Sequence, residues 1–196
     1  MNYLVVDFEF TFYKRPVGRP RTFFPEIIEV GAVKLNETLN ECGKLQSFVK
    51  PHFFPKHAKD AMDFCMITDA DMKKAITFPV MLKKLSAMYE AEQTFFVAWG
   101  DADYKVLNEG CSRHKLENPI IEVDYLDLAE AYKLWKDEEN TPSLKTAIME
   151  MECVADGLAH TAFDDAYNTG KVLAKMLEKG WTYEAYLRAK EQQKNN

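Results

Sequence analysis

Three segments rich in β-branched and aromatic residues crowd the start of the chain: residues 3–10 (YLVVDFEF), residues 26–35 (EIIEVGAVKL) and the stretch LQSFVKP, which ends at Pro51. Such residues favour strands buried on at least one face. A Pro/Arg-rich loop joins the first to the second and a turn at residues 36–40 joins the second to the third, as in an antiparallel meander. Beyond Pro51 the pattern alternates. Pro79 opens a helix with Val80, Met81, Leu82, Leu85, Met88 and Tyr89 near a 3.6-residue period, and TFFVAW (94–99) reads as a strand. A helix over 103–114, a strand over 120–124 (IIEVD), a helix over 125–137 and a helix from the N-cap Ser143 to Met151 follow. After a turn at Gly157 the pattern predicts a helix over 162–179, stopped by Gly180, and a last helix over 183–193. The expected fold is α/β: a mixed sheet of three antiparallel strands and then two parallel ones, flanked by helices.

At 196 residues, with 47% apolar side chains, the chain has the size and core of one domain, residues 1–180, with 181–196 as a terminal helix and polar tail of the same unit. No apolar run is long enough to span a membrane, and MNYLVVDFEF lacks a basic region followed by a small-residue cleavage site, so a cytoplasmic protein without a membrane partner is expected. Cys42, Cys65, Cys111 and Cys153 are too scattered for a disulfide framework or a thiolate zinc site. The net charge of −6 excludes wholesale coating of nucleic acid, which needs a basic surface. Any such contact must be local.

In residues 5–11 (VVDFEFT) the two acids, Asp7 and Glu9, stand at i and i+2 and share one face at one end of the strand. That face also carries Tyr3 and Val5, while the other carries Leu4, Val6, Phe8, Phe10 and Phe12, so the strand reads as central. Acids at the end of a central strand call for a compensating charge, since an unpaired buried carboxylate costs several kcal/mol. A half-exposed strand with a polar face toward water fits the same spacing. In residues 160–165 (HTAFDD), Thr161 and Asp164 resemble a capping box, which explains Asp164. Asp165 lies one residue further round, on the row of Thr169, Val172 and Met176, and is expected to face inward near the helix start, with His160 projecting toward the same end. In residues 99–103 (WGDAD), Asp101 caps a helix and Asp103 is turned to the packed side by Val106 and Leu107; an acid placed for the helix dipole fits Asp103 as well.

Taken together, D-x-E on the first strand, W-G-x-x-D-x-x-x-L in the middle and H-x-A-x-x-D on a late helix resemble the three motifs of the DEDDh exonuclease family. PEIIEVGAVKL, F-V-K-P and SLKTAI extend the likeness over most of residues 3–177, and the branch it resembles is the ERI-1-like one, with its bacterial proteins known as inhibitors of the sporulation kinase pathway. Many members carry Asp-x-Glu-Thr-x-Gly at the first motif; this chain has Asp7-Phe8-Glu9-Phe10-Thr11-Phe12, which changes the surroundings but keeps the carboxylates. The resemblance implies a ribonuclease H-like sheet and a 3′–5′ exonuclease that releases nucleoside 5′-monophosphates from single-stranded RNA or DNA 3′ ends. It implies two Mg²⁺ or Mn²⁺ ions, Asp7 bridging, Glu9 and Asp165 on the ion at the nucleophile and Asp103 on the other, with His160 as general base. An alternative function on the same fold is a regulatory binding protein acting through partner contacts.

The loop Lys14-Arg15-Pro16-Val17-Gly18-Arg19-Pro20-Arg21 leaves the strand end that carries Glu9. There Arg19 and Arg21 are candidates for gripping the phosphates of the scissile strand upstream of its 3′ end, although a plain solvated loop fits too. Phe10 and Phe12 are candidates for stacking terminal bases, as single-strand readers do, against the ordinary reading of aromatics as core, and Thr11 between them is a further candidate substrate contact.

Overall fold

The first segment forms β1 (Asn2–Phe10), and its alternation sends Leu4, Val6 and Phe8 to one face and Val5 to the other, all buried. The computed structural model describes residues 1–14 and 18–194, so Arg15 of the basic stretch lies outside the described residues. After β1 come β2 (Ile27–Leu35) and β3 (Glu41–Lys50), then two short helices, α1 (Lys59–Phe64) and α2 (Asp69–Lys74). The two-residue β4 (Ile76–Thr77) leads into α3 (Phe78–Ser86), β5 (Thr94–Ala98) and α4 (Ala102–His114). The chain continues through β6 (Tyr125–Asp127), α5 (Leu128–Lys136), α6 (Leu144–Glu150), α7 (Ala162–Glu178) and α8 (Tyr183–Lys194).

The sheet order is β4-β3-β2-β1-β5-β6. β1, β2 and β3 form the expected antiparallel meander, and β5 and β6 run parallel to β1, which is therefore central. On one face Leu4, Val6 and Phe8 pack with Met81 and Leu85 of α3 and Leu107 of α4. On the other, Val5 and Val33 pack with Tyr132 of α5 and Leu173 and Met176 of α7. The terminal helix joins this second core through Tyr183 and Tyr186, with Trp181 just before it, and the Tyr186 hydroxyl donates to Glu130 of α5 at 2.8 Å.

Several local expectations need correction. Residues 120–124 do not form a strand: Glu122–Asp124 is a 3₁₀ turn with Val123 70% exposed, and its Asp124 carboxylate accepts from the Tyr89 hydroxyl and from Glu92 N–H. The strand is shifted to Tyr125–Asp127, where Leu126 enters the core, and the following helix starts only at Leu128 because Asp127 caps it through Glu130 N–H. Asp101 does not cap α4 with its side chain but pairs with Lys105 one turn on. Thr161 makes no side-chain cap either, and Asp164 instead accepts from Leu158 N–H at 2.9 Å, closing the turn before α7. α1 and α2 were not expected, being too short to show a helical period, although α2 carries a capping box of Thr68 and Asp71.

One buried acid ties the start of β2 to the end of β3. Glu26, 7% exposed, accepts three backbone N–H bonds, from His52, Phe53 and Phe54, at 2.6, 2.9 and 2.6 Å. Truncation removes charge-assisted bonds, so Glu26→Ala is expected to lower the urea-unfolding free energy by roughly 2 kcal/mol. Glu26→Gln, which keeps one acceptor, should lose less; equal losses would point to packing instead.

Candidate active site

Asp7 and Glu9 leave β1 on the side covered by α7, directly opposite Gly31 and Glu29 of β2. Gly31 decides what comes next. A Cβ there would sit 2.1 Å from the Ala162 backbone, so only glycine lets the N-terminus of α7 rest on the sheet. That close approach carries Asp165 and His160 to the two acids. The nearest ligand atoms of Glu9, His160 and Asp165 all lie within 4.8 Å of one another.

Asp103 arrives from the first turn of α4, just beyond the end of β5. Because β5 pairs with β1 only as far as Val5, the N–H of Phe8 is left without a strand partner on that side, and the Asp103 carboxylate accepts it at 2.8 Å. Asp7, Glu9, Asp103, His160 and Asp165 thus line one cleft of about 280 Å³, together with Phe10 and Phe12. His160 is held in a left-handed conformation, φ 66°, with its N–H donating to Asp165 at 2.9 Å and its ring 4.6 Å from that of Phe64.

Carboxylates so placed resist ionisation. Burial pushes Asp7 well above the ordinary range, and repulsion from Asp103, Glu9, Asp165 and Glu29 adds to it. Burial raises Glu9 and Asp165 as well; for Glu9 a hydrogen bond from the Cys65 thiol at 3.0 Å works the other way. Asp103 and Glu29 are both pushed up to about 7, in each case chiefly by burial. The folded chain therefore holds protons that the unfolded chain, with carboxylates near pKa ~4, has already released. The associated stability is present below pH ~4 and lost as pH rises through about 7. Metal-free protein is expected to melt at a lower temperature at pH ~8 than at pH ~5, and added Mg²⁺ to raise the melting temperature most at the higher pH. A melting temperature that climbs with pH without metal would contradict this reading of the cleft.

Three candidate substrate contacts do not line the cleft. Thr11 has no exposed surface, and its hydroxyl accepts from Glu26 N–H at 2.9 Å, so it fastens β1 to the start of β2. Arg19 stacks over Phe23, 5.3 Å from the ring centroid, and neither it nor the exposed Arg21 lines the cleft. Three residues near the carboxylates were not anticipated. Glu29, 2% exposed, accepts from Ala162 N–H at 3.4 Å; a lone acid within a β-branched run was its signal. Cys65 and Phe64 had none beyond their residue types, because α1 itself was not foreseen.

The family model described as Exonuclease (RNase_T) matches residues 4–173, a span that contains all five polar cleft residues. The chain belongs to this exonuclease family. The probable 3′-5′ exonuclease KapD of Bacillus subtilis is 32% identical over 183 residues, covering 92% of this chain and 86% of that protein. Human 3′-5′ exoribonuclease 1 is 26% identical over 187 residues, covering 90% of this chain; the chain spans only 52% of that protein's length. Among solved structures, the nuclease domain of 3′hExo, a DEDDh family member bound to rAMP, superposes with a TM-score of 0.76 at 26% identity, covering 91% of this chain and 92% of that one. The chain is thus a nuclease of the DEDDh 3′–5′ exonuclease type, a family that generally uses divalent metal ions. Among the described residues, no helix is long and apolar enough to cross a membrane.

Proposed function

We propose that this nuclease removes nucleoside 5′-monophosphates one at a time from the 3′ ends of single-stranded RNA or DNA, with Asp7, Glu9, Asp103 and Asp165 holding two divalent cations and His160 as general base. The observation that carries this reading is the convergence of four carboxylates and one exposed imidazole on a single cleft that no lysine or arginine lines among the described residues. The donor set fits the ions: hard oxygen ligands suit Mg²⁺ or Mn²⁺, and acids raised by burial and mutual repulsion are in want of positive charge. When bound, such ions neutralise charge on the scissile phosphate and stabilise the attacking and leaving oxygens.

The remaining work falls to the chain. His160, at the cleft mouth, takes the proton of the attacking water, and Phe64 against its ring limits where that ring can turn. The Asp165 carboxylate orients the same residue through its backbone N–H. Phe10 and Phe12, on the cleft wall, offer faces on which the terminal base stacks. That the 3′hExo domain was solved with rAMP supports a nucleotide as the ligand. Incubation of matched 5′-labelled RNA and DNA single strands with Mg²⁺ or Mn²⁺ tests the reading: a ladder shortening by single nucleotides is expected, and intact strands of both kinds would overturn it.

A further inference from the structure

A chain of net charge −6 whose reaction cleft is lined by carboxylates repels a polyanion, so a strand that enters it must be held by positive charge nearby. Beside the cleft, and sharing Phe12 with it, runs a second groove of about 530 Å³. Its wall carries Lys14 from the segment after β1, Lys56 from the 3₁₀ turn Pro55–His57 and Lys59 at the start of α1, all exposed. Two separate stretches of sequence thus deliver cations to one concavity. Tyr13 and His57 also line the groove, with ring centroids 5.5 Å apart. Both rings rest on Phe23, 5.6 and 6.4 Å away, and the Tyr13 hydroxyl is fixed by donating to Gly18 C=O at 2.8 Å.

We infer that this groove is a subsite for the single strand upstream of its last two nucleotides, with Lys14, Lys56 and Lys59 on its phosphates and Tyr13 and His57 as a stacking floor. The inference rests on the proposed function and extends it to the strand beyond the scissile bond. Solvated lysines scattered on a convex surface would need no explanation; cations around an aromatic floor, continuous with the cleft, are the arrangement that grips a strand without reading its sequence. A duplex keeps its base faces stacked, so the floor favours unpaired strands. Asp60 also lines the groove, and Lys59 pairs with Asp63 at 2.8 Å, but both members of that pair are well exposed and a phosphate competes readily for the ammonium.

The test compares the intact protein with a Lys14→Ala, Lys56→Ala, Lys59→Ala triple variant. Affinities for a dinucleotide and for a single strand of about ten nucleotides are read by fluorescence anisotropy with Ca²⁺ in place of Mg²⁺. Turnover of the p-nitrophenyl ester of thymidine 5′-monophosphate is read with Mn²⁺. The variant is expected to bind the longer strand about tenfold more weakly and to lose about 2 from the slope of log affinity against log salt, at about 0.7 per phosphate contact. Dinucleotide affinity and ester turnover should not change. Unchanged affinity and salt slope for the longer strand would overturn the subsite, as would an equal loss on the dinucleotide. If the unaltered protein cleaves neither ester nor oligonucleotide while the variant still loses longer-strand affinity, the proposed function fails and the subsite stands.

Discussion

Asp7→Asn is expected to abolish activity while making the metal-free protein more stable. Asp7 stands at the centre of the acidic cluster, opposite Gly31 on β2, and Asp103, Glu9, Asp165 and Glu29 all raise its pKa on top of burial. An amide of nearly the same shape removes one charge from that set and leaves the strand pairing alone. Without metal the remaining acids repel less, so the melting temperature should rise, by about 2–4 °C for each kcal/mol relieved. On the proposed function the same change removes a metal ligand, and several kcal/mol of transition-state charge stabilisation corresponds to a rate loss of about 10³-fold or more. Turnover of a single strand and calorimetry in chelator together decide the matter. A variant that loses activity and stability in parallel would mark Asp7 as a packing residue.

Gly31→Ala should act through the helix and not through the ions. The added methyl meets backbone atoms of Ala162 and Phe163 at 2.1 and 2.2 Å, and neither can move aside as a flexible side-chain tip would. The N-terminus of α7 must lift, at a cost of roughly 3 kcal/mol or more and about 10 °C in melting temperature. Asp165 and His160 move with it, and a displacement of about 1 Å at a reacting centre is enough to cost about 10²-fold in rate. Gly170, one face of the same helix further along, provides the contrast: its nearest neighbours to a new Cβ are Leu35 and Val5 at 3.6 and 3.8 Å, ordinary contacts. Gly170→Ala is therefore expected to stabilise the helix by about 0.5–1 kcal/mol with activity intact. Equal effects at the two glycines would mean that α7 does not depend on close approach at Gly31.

The contrast also shows what could be read in the residues and what could not. Asp7 and Glu9 were legible because strand alternation alone puts them on one face, and Asp165 because helical spacing separates it from Asp164. Their meeting was not legible from either segment: it depends on a missing side chain at Gly31, which in sequence is one small residue in a run of β-branched ones. Asp103 was placed on the packed side by Val106 and Leu107, but its bond to the Phe8 N–H follows from where β5 stops pairing, a tertiary fact. The strand near residue 122 was misplaced because Ile121 and Val123 have strand-like side chains that in the fold are exposed. Thr11 and the arginines were candidate substrate contacts because they follow Glu9 closely in sequence. The chain turns away after β1, burying Thr11 beneath Glu26 and laying Arg19 on Phe23.

The most direct measurement uses a single strand labelled in its 3′-terminal nucleotide, mixed with excess protein and Mg²⁺ and resolved by product. The label should appear in the first turnover as a nucleoside 5′-monophosphate, and Asp7→Asn protein should release none. Release as a nucleoside 3′-monophosphate, or within a longer fragment, would contradict a 3′–5′ exonuclease built on these carboxylates.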